Sequence, residues 1–246
     1  MAVRRHIELA KRHIKAARFD FSSELAYLLG LILLSLGTAM MERANFGMSM
    51  VVAPPYLLHL KISQYLPFFS FGMAVYSFQA VLLILLALIM RRFKVMYLLS
   101  FVTAVIYGLI LDNSVRFVAH LPGGGLPSRL FYYVFGMIVC AAGIAFLVFT
   151  YIATEAYEMF VDEISVKYRQ PIGKVKTIYD VTSCALGIIL SFAFFGLGHF
   201  EGVKFGTIFC ALINGGLIGF FTQVFLHYFN FKPTMPKLRR FYRRLC

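Results

Sequence analysis

The pattern of apolar and polar positions divides the chain into six apolar runs, at about 25–41, 68–90, 95–111, 130–153, 177–198 and 207–229. Each approaches the ~20 residues that cross a bilayer as a helix. They predict an all-α integral membrane protein with six transmembrane helices. Two intervening stretches break the plain alternation of span and loop. The first, ERANFGMSMVVAPPYLLHLK at 42–61, is too apolar for an exposed loop, yet Gly47, Pro54 and Pro55 interrupt it too often for a spanning helix. Two readings stand for it: a segment dipping into the protein interior, or an amphipathic helix on the outer surface. The second, 154–169, sets Tyr157, Phe160, Val161, Ile164 and Tyr168 on one helical face and Glu155, Glu158, Asp162, Ser165 and Arg169 on another. Such a polar stripe reads first as a solvated face, supported by a Glu163–Lys167 pair, and second as a set of carboxylates that attracts cations at an inner vestibule. Glu155 is set apart because it lies nearest the membrane.

The two stretches are related. Gly30 and Gly37 in the first run recur as Gly136 and Gly143 in the fourth, at an offset of 106. At the same offset FGMSMVVAPPYLLHLK falls over IATEAYEMFVDEISVK, which makes Ser49 the mate of Glu155. After a five-residue difference Gly72 falls on Gly173 and Gln79 on Asp180, and later FVTAVIYGLI falls on FCALINGGLI, matching Gly108 to Gly216. The chain therefore reads as repeat 1 (24–112), a linker (113–129) and repeat 2 (130–231), with basic flanks at 1–23 and 232–246. Three spans per repeat force the second copy to enter from the opposite side, giving an inverted repeat of the kind many secondary transporters use.

RANFG after the first span, the GMS that follows it, PIGKVKTIYDVTSCALG and GTIFCALINGG resemble the YitT/YczE-like family of bacterial multi-span membrane proteins over about residues 25–225. The shorter YczE-like branch is the closer match. The resemblance implies duplicated three-span halves in a bacterial membrane and supplies no activity. The second copy reads TYIAT where the first has RANFG, so Arg43 has no mate.

Composition agrees with the pattern: 60% of the residues are hydrophobic, with 27 Phe and 14 Tyr, against roughly 45–50% in soluble domains. The net charge of +13 would suit nucleic acid, but the basic residues flank the apolar runs and no nucleic-acid motif accompanies them. Their distribution instead sets orientation. Nineteen of the 24 Lys and Arg fall in the N-terminal flank, the RRFK turn, the stretch after the fourth run and the C-terminal tail. This places both termini in the cytoplasm of a bacterial inner membrane and points the basic flanks at an anionic inner leaflet. The flank MAVRRHIELAKRHIKAARFDF has apolar residues at helical spacing and suits an interfacial helix. No cleavable signal is visible, since the first apolar run begins near Leu25. The four cysteines show no paired spacing, no metal or cofactor motif appears, and an intramembrane enzyme is not expected.

Ionisable and amide groups inside spans are the remaining candidates for chemistry. Asp180 lies in the fifth run and its mate Gln79 in the second; the carboxylate binds a solute or a coupling proton, or else pairs with Lys176 one turn earlier. Asn214, beside Gly215 and Gly216 in the sixth run, reads first as a packing residue and second as cavity lining. Glu155 and Ser49 mark the two broken stretches. Arg43 faces an outer vestibule or pairs with Glu42 at the interface. Gly30, Gly37, Gly47, Gly72, Gly108, Gly136, Gly143, Gly173 and Gly216 read as hinge or close-packing positions. These features favour a secondary transporter of a small polar solute. A substrate-binding subunit of an ATPase-driven system and a membrane assembly factor are the alternatives.

Overall fold

The computed structural model describes residues 19–196 and 201–245, so the interfacial helix expected before residue 19 lies outside the described residues. In chain order the elements are β1 (Phe19–Ser22), α1 (Ser23–Ala44), α2 (Ala53–Ile62), α3 (Phe71–Met90), α4 (Val95–Ala119), α5 (Leu126–Val148), α6 (Ala156–Tyr168), α7 (Ile172–Phe195), α8 (Phe205–Tyr228), β2 (Phe229–Lys232) and α9 (Pro236–Leu245). Six of these helices, α1, α3, α4, α5, α7 and α8, are long and apolar enough to cross a membrane. Their outward residues are large and apolar, as with Ile84, Leu88 and Ile189, which is the surface a hydrocarbon solvent requires.

Two spans extend past their apolar runs. α4 continues to Ala119 and α5 starts at Leu126, so much of the expected linker is helical. The polar residue that ends the apolar run, Asp112, is satisfied inside the protein: Ser70 Oγ donates to it at 2.6 Å and the Gly72 N–H at 2.7 Å. The carboxylate thereby caps the start of α3, where free N–H groups need an acceptor. α7 likewise begins at Ile172, before the apolar run proper. The fold is also not wholly helical. β1 and β2 pair in parallel, Phe19 beside Phe229 through Ser22 beside Lys232, and Lys232 bonds Asp20 at 2.7 Å. The alternation of FDFS and FNFK is too short to stand out beside apolar runs.

α1 and α5 form the centre, crossing through glycines. A Cβ on Gly37 would lie 2.5 Å from the Gly136 oxygen, and one on Gly143 would lie 2.8 Å from the Gly30 oxygen. Gly72 and Gly108 join α3 to α4 more tightly still, with a Gly72 Cβ only 2.0 Å from the Gly108 oxygen. In the absence of a hydrophobic drive between helices in lipid, such backbone approach supplies the packing energy. Around this centre α4 lies on α1 and α8 on α5, while α2 bridges α3 and α7 and α6 bridges α3, α4 and α7. α7 and α8 hardly touch each other. Gly173 and Gly216, expected as hinge or close-packing positions, meet nothing within 4 Å.

Candidate functional site

Both broken stretches turn inward. α1 ends on Asn45, whose positive φ of 55° closes the helix, and Gly47 follows with φ 115°. Only glycine fits there, since a Cβ would lie 2.5 Å from Thr207 Oγ1. The strand-like piece beyond is tied to the start of α8: the Met48 N–H donates to the Gly202 oxygen at 2.8 Å and the Gly206 N–H to the Phe46 oxygen at 3.0 Å. The Ser49 carbonyl then accepts from the Val52 and Ala53 N–H groups, both at 3.0 Å, and starts the helical turn that leads into α2. Pro54 and Pro55 sit in the first turn, where a missing N–H costs nothing. The second break, 149–155, is fastened to α4 and α1: Thr103 Oγ1 donates to the Ala153 oxygen at 2.9 Å, Ser100 Oγ to the Thr154 oxygen, and Ser23 Oγ to the Phe149 oxygen at 3.0 Å. The middle of the stretch 42–61 is thus interior, with Pro54, Pro55, Tyr56 and Leu57 buried, while Asn45 at its start is exposed.

The two breaks face one central cavity of about 200 Å³. Ser49, Gln79, Glu155, Asp180 and Asn214 all line it, each from a different element. Its walls are otherwise largely apolar, and include Met48, Phe78 and Tyr107. Gln79 organises the polar side. Its Nε2 donates to Glu155 Oε2 at 3.1 Å and its Oε1 accepts the Ala156 N–H at 2.9 Å, so one amide caps α6 and holds the carboxyl that precedes it. Glu155 is 5% exposed. Its Oε1 and the Asn214 Oδ1 are buried without a hydrogen-bond partner among the described residues. Unmet buried acceptors cost on the order of 1–3 kcal/mol each. Burial, with the neighbouring Glu158 charge, pushes the Glu155 pKa up to about 8, against the opposing bond from Gln79. Burial also raises Glu158, offset by Lys176.

Several expectations need correction. Arg43 does not line the cavity. It donates to the Val118 and Leu121 carbonyls at the end of α4 and lies 5.5 Å from the Tyr132 ring centroid. A guanidinium there adds charge-assisted bonds at the negative end of a helix, which explains a lone arginine without a mate in the other repeat. Lys176 makes no ion pair with Asp180 among the described residues; it lies over the Tyr157 ring at 5.6 Å. Glu163 pairs with Lys94 rather than Lys167, and Lys167 donates to the Ile89 oxygen, so both tie α6 to the α3–α4 turn. The polar stripe of α6 is therefore partly a docking surface. Asn214 lines the cavity rather than packing against a neighbouring helix.

The sequence reading passed over Asp112 and Thr38. Asp112 sat one residue beyond an apolar run; the Ser-Phe-Gly start of α3 was its only signal. Thr38 donates to the Leu34 oxygen at 2.8 Å and meets Tyr107 OH at 3.1 Å, which fixes the tyrosine in the cavity wall. A separate apolar recess of about 670 Å³ lies between α3 and α4, with Arg91 and Arg92 among its lining residues. Among the described residues no group of His, Cys, Asp and Glu is placed to hold a metal ion.

Neither a curated protein nor a solved structure matches the chain. One family model does, and it covers residues 21–223, from β1 through most of α8. The chain belongs to the family of unknown function DUF6198.

Proposed function

We propose that the protein is a secondary transporter that moves a small polar solute by alternating access between two inverted three-helix repeats. The observation that carries this reading is the central cavity, where polar groups from both repeats meet at the starts of two short interior helices. The packing supports the repeat. Exchanging each residue for its mate turns the Gly30–Gly143 contact into Gly136–Gly37, which is the reciprocity of a two-fold axis. The pairing of α2 with α7 becomes that of α6 with α3, and α1 with α4 becomes α5 with α8.

One pair departs from this symmetry. α3 and α4 are closed at Gly72 and Gly108, while their mates α7 and α8 are apart. Alternating access forbids both gates from being open at once, and one closed with one open is the arrangement it expects of a conformation open to one side. With the Lys and Arg distribution setting the RRFK turn in the cytoplasm of a bacterial inner membrane, the open side faces inward. Both termini are then cytoplasmic, and Arg91, Arg92, Arg239 and Arg240 lie at the anionic inner leaflet. The resemblance to YczE-like proteins is in keeping with this arrangement.

The purified protein alone, reconstituted in liposomes, should accumulate solute under a proton or sodium gradient. Uptake that appears only with an added ATPase makes it a substrate-binding subunit, and no uptake in either case makes it an assembly factor. Inversion is tested apart from transport. Tyr65→Cys, after α2, and Tyr168→Cys, ending α6, should label from opposite sides of the membrane; labelling from one side removes the inverted repeat.

A further inference from the structure

The transporter reading leaves the solute open, and the inference here rests on that reading. We propose that the cavity takes a small protonated amine, whose N–H groups donate to Glu155 Oε1 and Asn214 Oδ1, and that amine and proton occupy Glu155 in turn.

The chemistry of the cavity is lopsided. Three atoms of its lining are buried without a hydrogen-bond partner among the described residues: Glu155 Oε1 and Asn214 Oδ1, which only accept, and Tyr179 OH, which can accept or donate; Asp180 adds a second carboxylate. The donors an anion would seek are largely engaged. The Ala156 N–H, first of α6, already bonds Gln79 Oε1. At the start of α2, the Val52 and Ala53 N–H groups bond the Ser49 carbonyl, and Pro54 and Pro55 have none. Thr38 gives its proton to the Leu34 oxygen, so the shared contact leaves Tyr107 OH as the donor to Thr38. Lys176 is the one cation in the lining and rests over Tyr157. A volume of about 200 Å³ equals about seven waters at ~30 Å³ each, too large for a bare metal ion and suited to a compact organic molecule. The Phe78, Tyr107, Tyr157 and Tyr179 rings in the lining favour a cation with an apolar body.

Exchange follows from the position of Glu155. The groups around it are Tyr27 from α1, Gln79 from α3, Tyr107 from α4, Cys140 from α5, Tyr157 and Glu158 from α6, and Lys176, Tyr179 and Asp180 from α7, with the Lys176 charge acting on Glu158 and Asp180. None is a cation in contact with its carboxyl, so the empty site holds a proton there. An ammonium that enters keeps its own protons and replaces that one, which leaves to bulk water; one positive charge is exchanged for another.

The test uses the detergent-purified full chain with n-butylammonium, tetramethylammonium and butyrate at pH 6, 7 and 8. Calorimetry should show n-butylammonium binding about tenfold tighter per pH unit up to about pH 8, as one displaced proton requires. Tetramethylammonium, with no N–H to donate, should bind at least tenfold more weakly, and butyrate not at all. Glu155→Gln should weaken n-butylammonium at least tenfold and flatten its pH dependence. Asn214→Leu should weaken it while keeping the pH dependence, which guards against a misfolded Glu155 variant. No n-butylammonium binding at millimolar concentration, or an affinity equal at pH 6 and 8, overturns the proposal. If butyrate binds instead and Glu155→Gln abolishes it, the amine assignment falls while the site and the transporter reading stand.

Discussion

Gln79 and Glu155 hold one another across the joint between α3 and α6: the amide Nε2 donates to Glu155 Oε2 at 3.1 Å, and the amide oxygen receives the Ala156 N–H at 2.9 Å. The glutamine is 5% exposed and so is the glutamate, so the contact between them is shielded from bulk solvent. Gln79→Ala leaves a buried N–H and a carboxyl oxygen unpaired, at a cost of about 1–3 kcal/mol per group. The melting temperature of the purified protein should fall by about 2–4 °C for each kcal/mol. Gln79→Glu retains an acceptor for Ala156 but sets two carboxyl groups together, so its loss should grow with pH. A Gln79→Ala protein that melts with the parent would remove the clamp from the account.

Glu155 makes stability depend on pH in a defined direction. Its ordinary value of 4.5 is pushed up to about 8, chiefly by burial and then by the Glu158 charge. A carboxyl raised in the fold contributes stability that is fully present below the ordinary value and is lost as pH rises through about 8, because the unfolded chain releases the proton first. The melting temperature should drop by several degrees between pH 5 and pH 9. Glu155→Gln, which holds the shape and stays neutral, should remove that slope, provided the curves are measured without added solute. An unchanged slope assigns the titration to another group, with Glu158 the next buried carboxyl.

Arg43 separates stability from binding. Its guanidinium meets two carbonyls at the end of α4 and does not reach the cavity. Arg43→Leu removes charge-assisted bonds worth about 1.5–3 kcal/mol each, so the protein should melt lower by roughly 5 °C or more. Solute affinity measured below that transition should remain within twofold of the parent. Arg43→Lys, a single ammonium in place of a planar fork, should recover only part of the loss. A large affinity change without a stability change would return Arg43 to a vestibule.

The six spans were legible because an apolar run of spanning length has few other uses, and Gly30, Gly37, Gly136 and Gly143 stood out as close-packing positions because small residues recur at matched spacing, though not which glycine meets which. Gln79, Asp180, Asn214, Glu155 and Ser49 could be picked out singly, as polar residues in costly places, and the structure brings these five to one cavity. What sequence could not give was partnership. Arg43 and Asp112 serve backbone groups of helix ends, and backbone acceptors and donors leave no trace in residue identity. Lys94 takes Glu163 from the local partner Lys167 because the α3–α4 turn folds against α6. The separation of α7 from α8 was not legible either, because Gly173 and Gly216 read like Gly72 and Gly108 whether or not a helix covers them.

That difference between the α3–α4 and α7–α8 pairs gives the last prediction. A Cβ at Gly72 would fall 2.0 Å from the Gly108 oxygen, backed by Asp112 at 2.7 Å, whereas Gly173 and Gly216 have nothing within 4 Å. Gly72→Ala should therefore overpack a closed contact and cost about 1–3 kcal/mol. Gly173→Ala should be neutral or stabilising by up to about 1 kcal/mol, since alanine is the better helix former in open space. Transport would invert the ranking. If α7 and α8 close on each other while α3 and α4 open, Gly216→Leu blocks the closed partner state without disturbing this one. Its melting temperature should match the parent, while uptake in liposomes falls at least tenfold and solute binding persists. Asp112→Ala, which frees the start of α3 from α4, should act oppositely and raise labelling of Thr38→Cys from the side bearing the α4–α5 loop. Full uptake by Gly216→Leu would mean that α7 and α8 never close, and the alternation of gates would have to be abandoned.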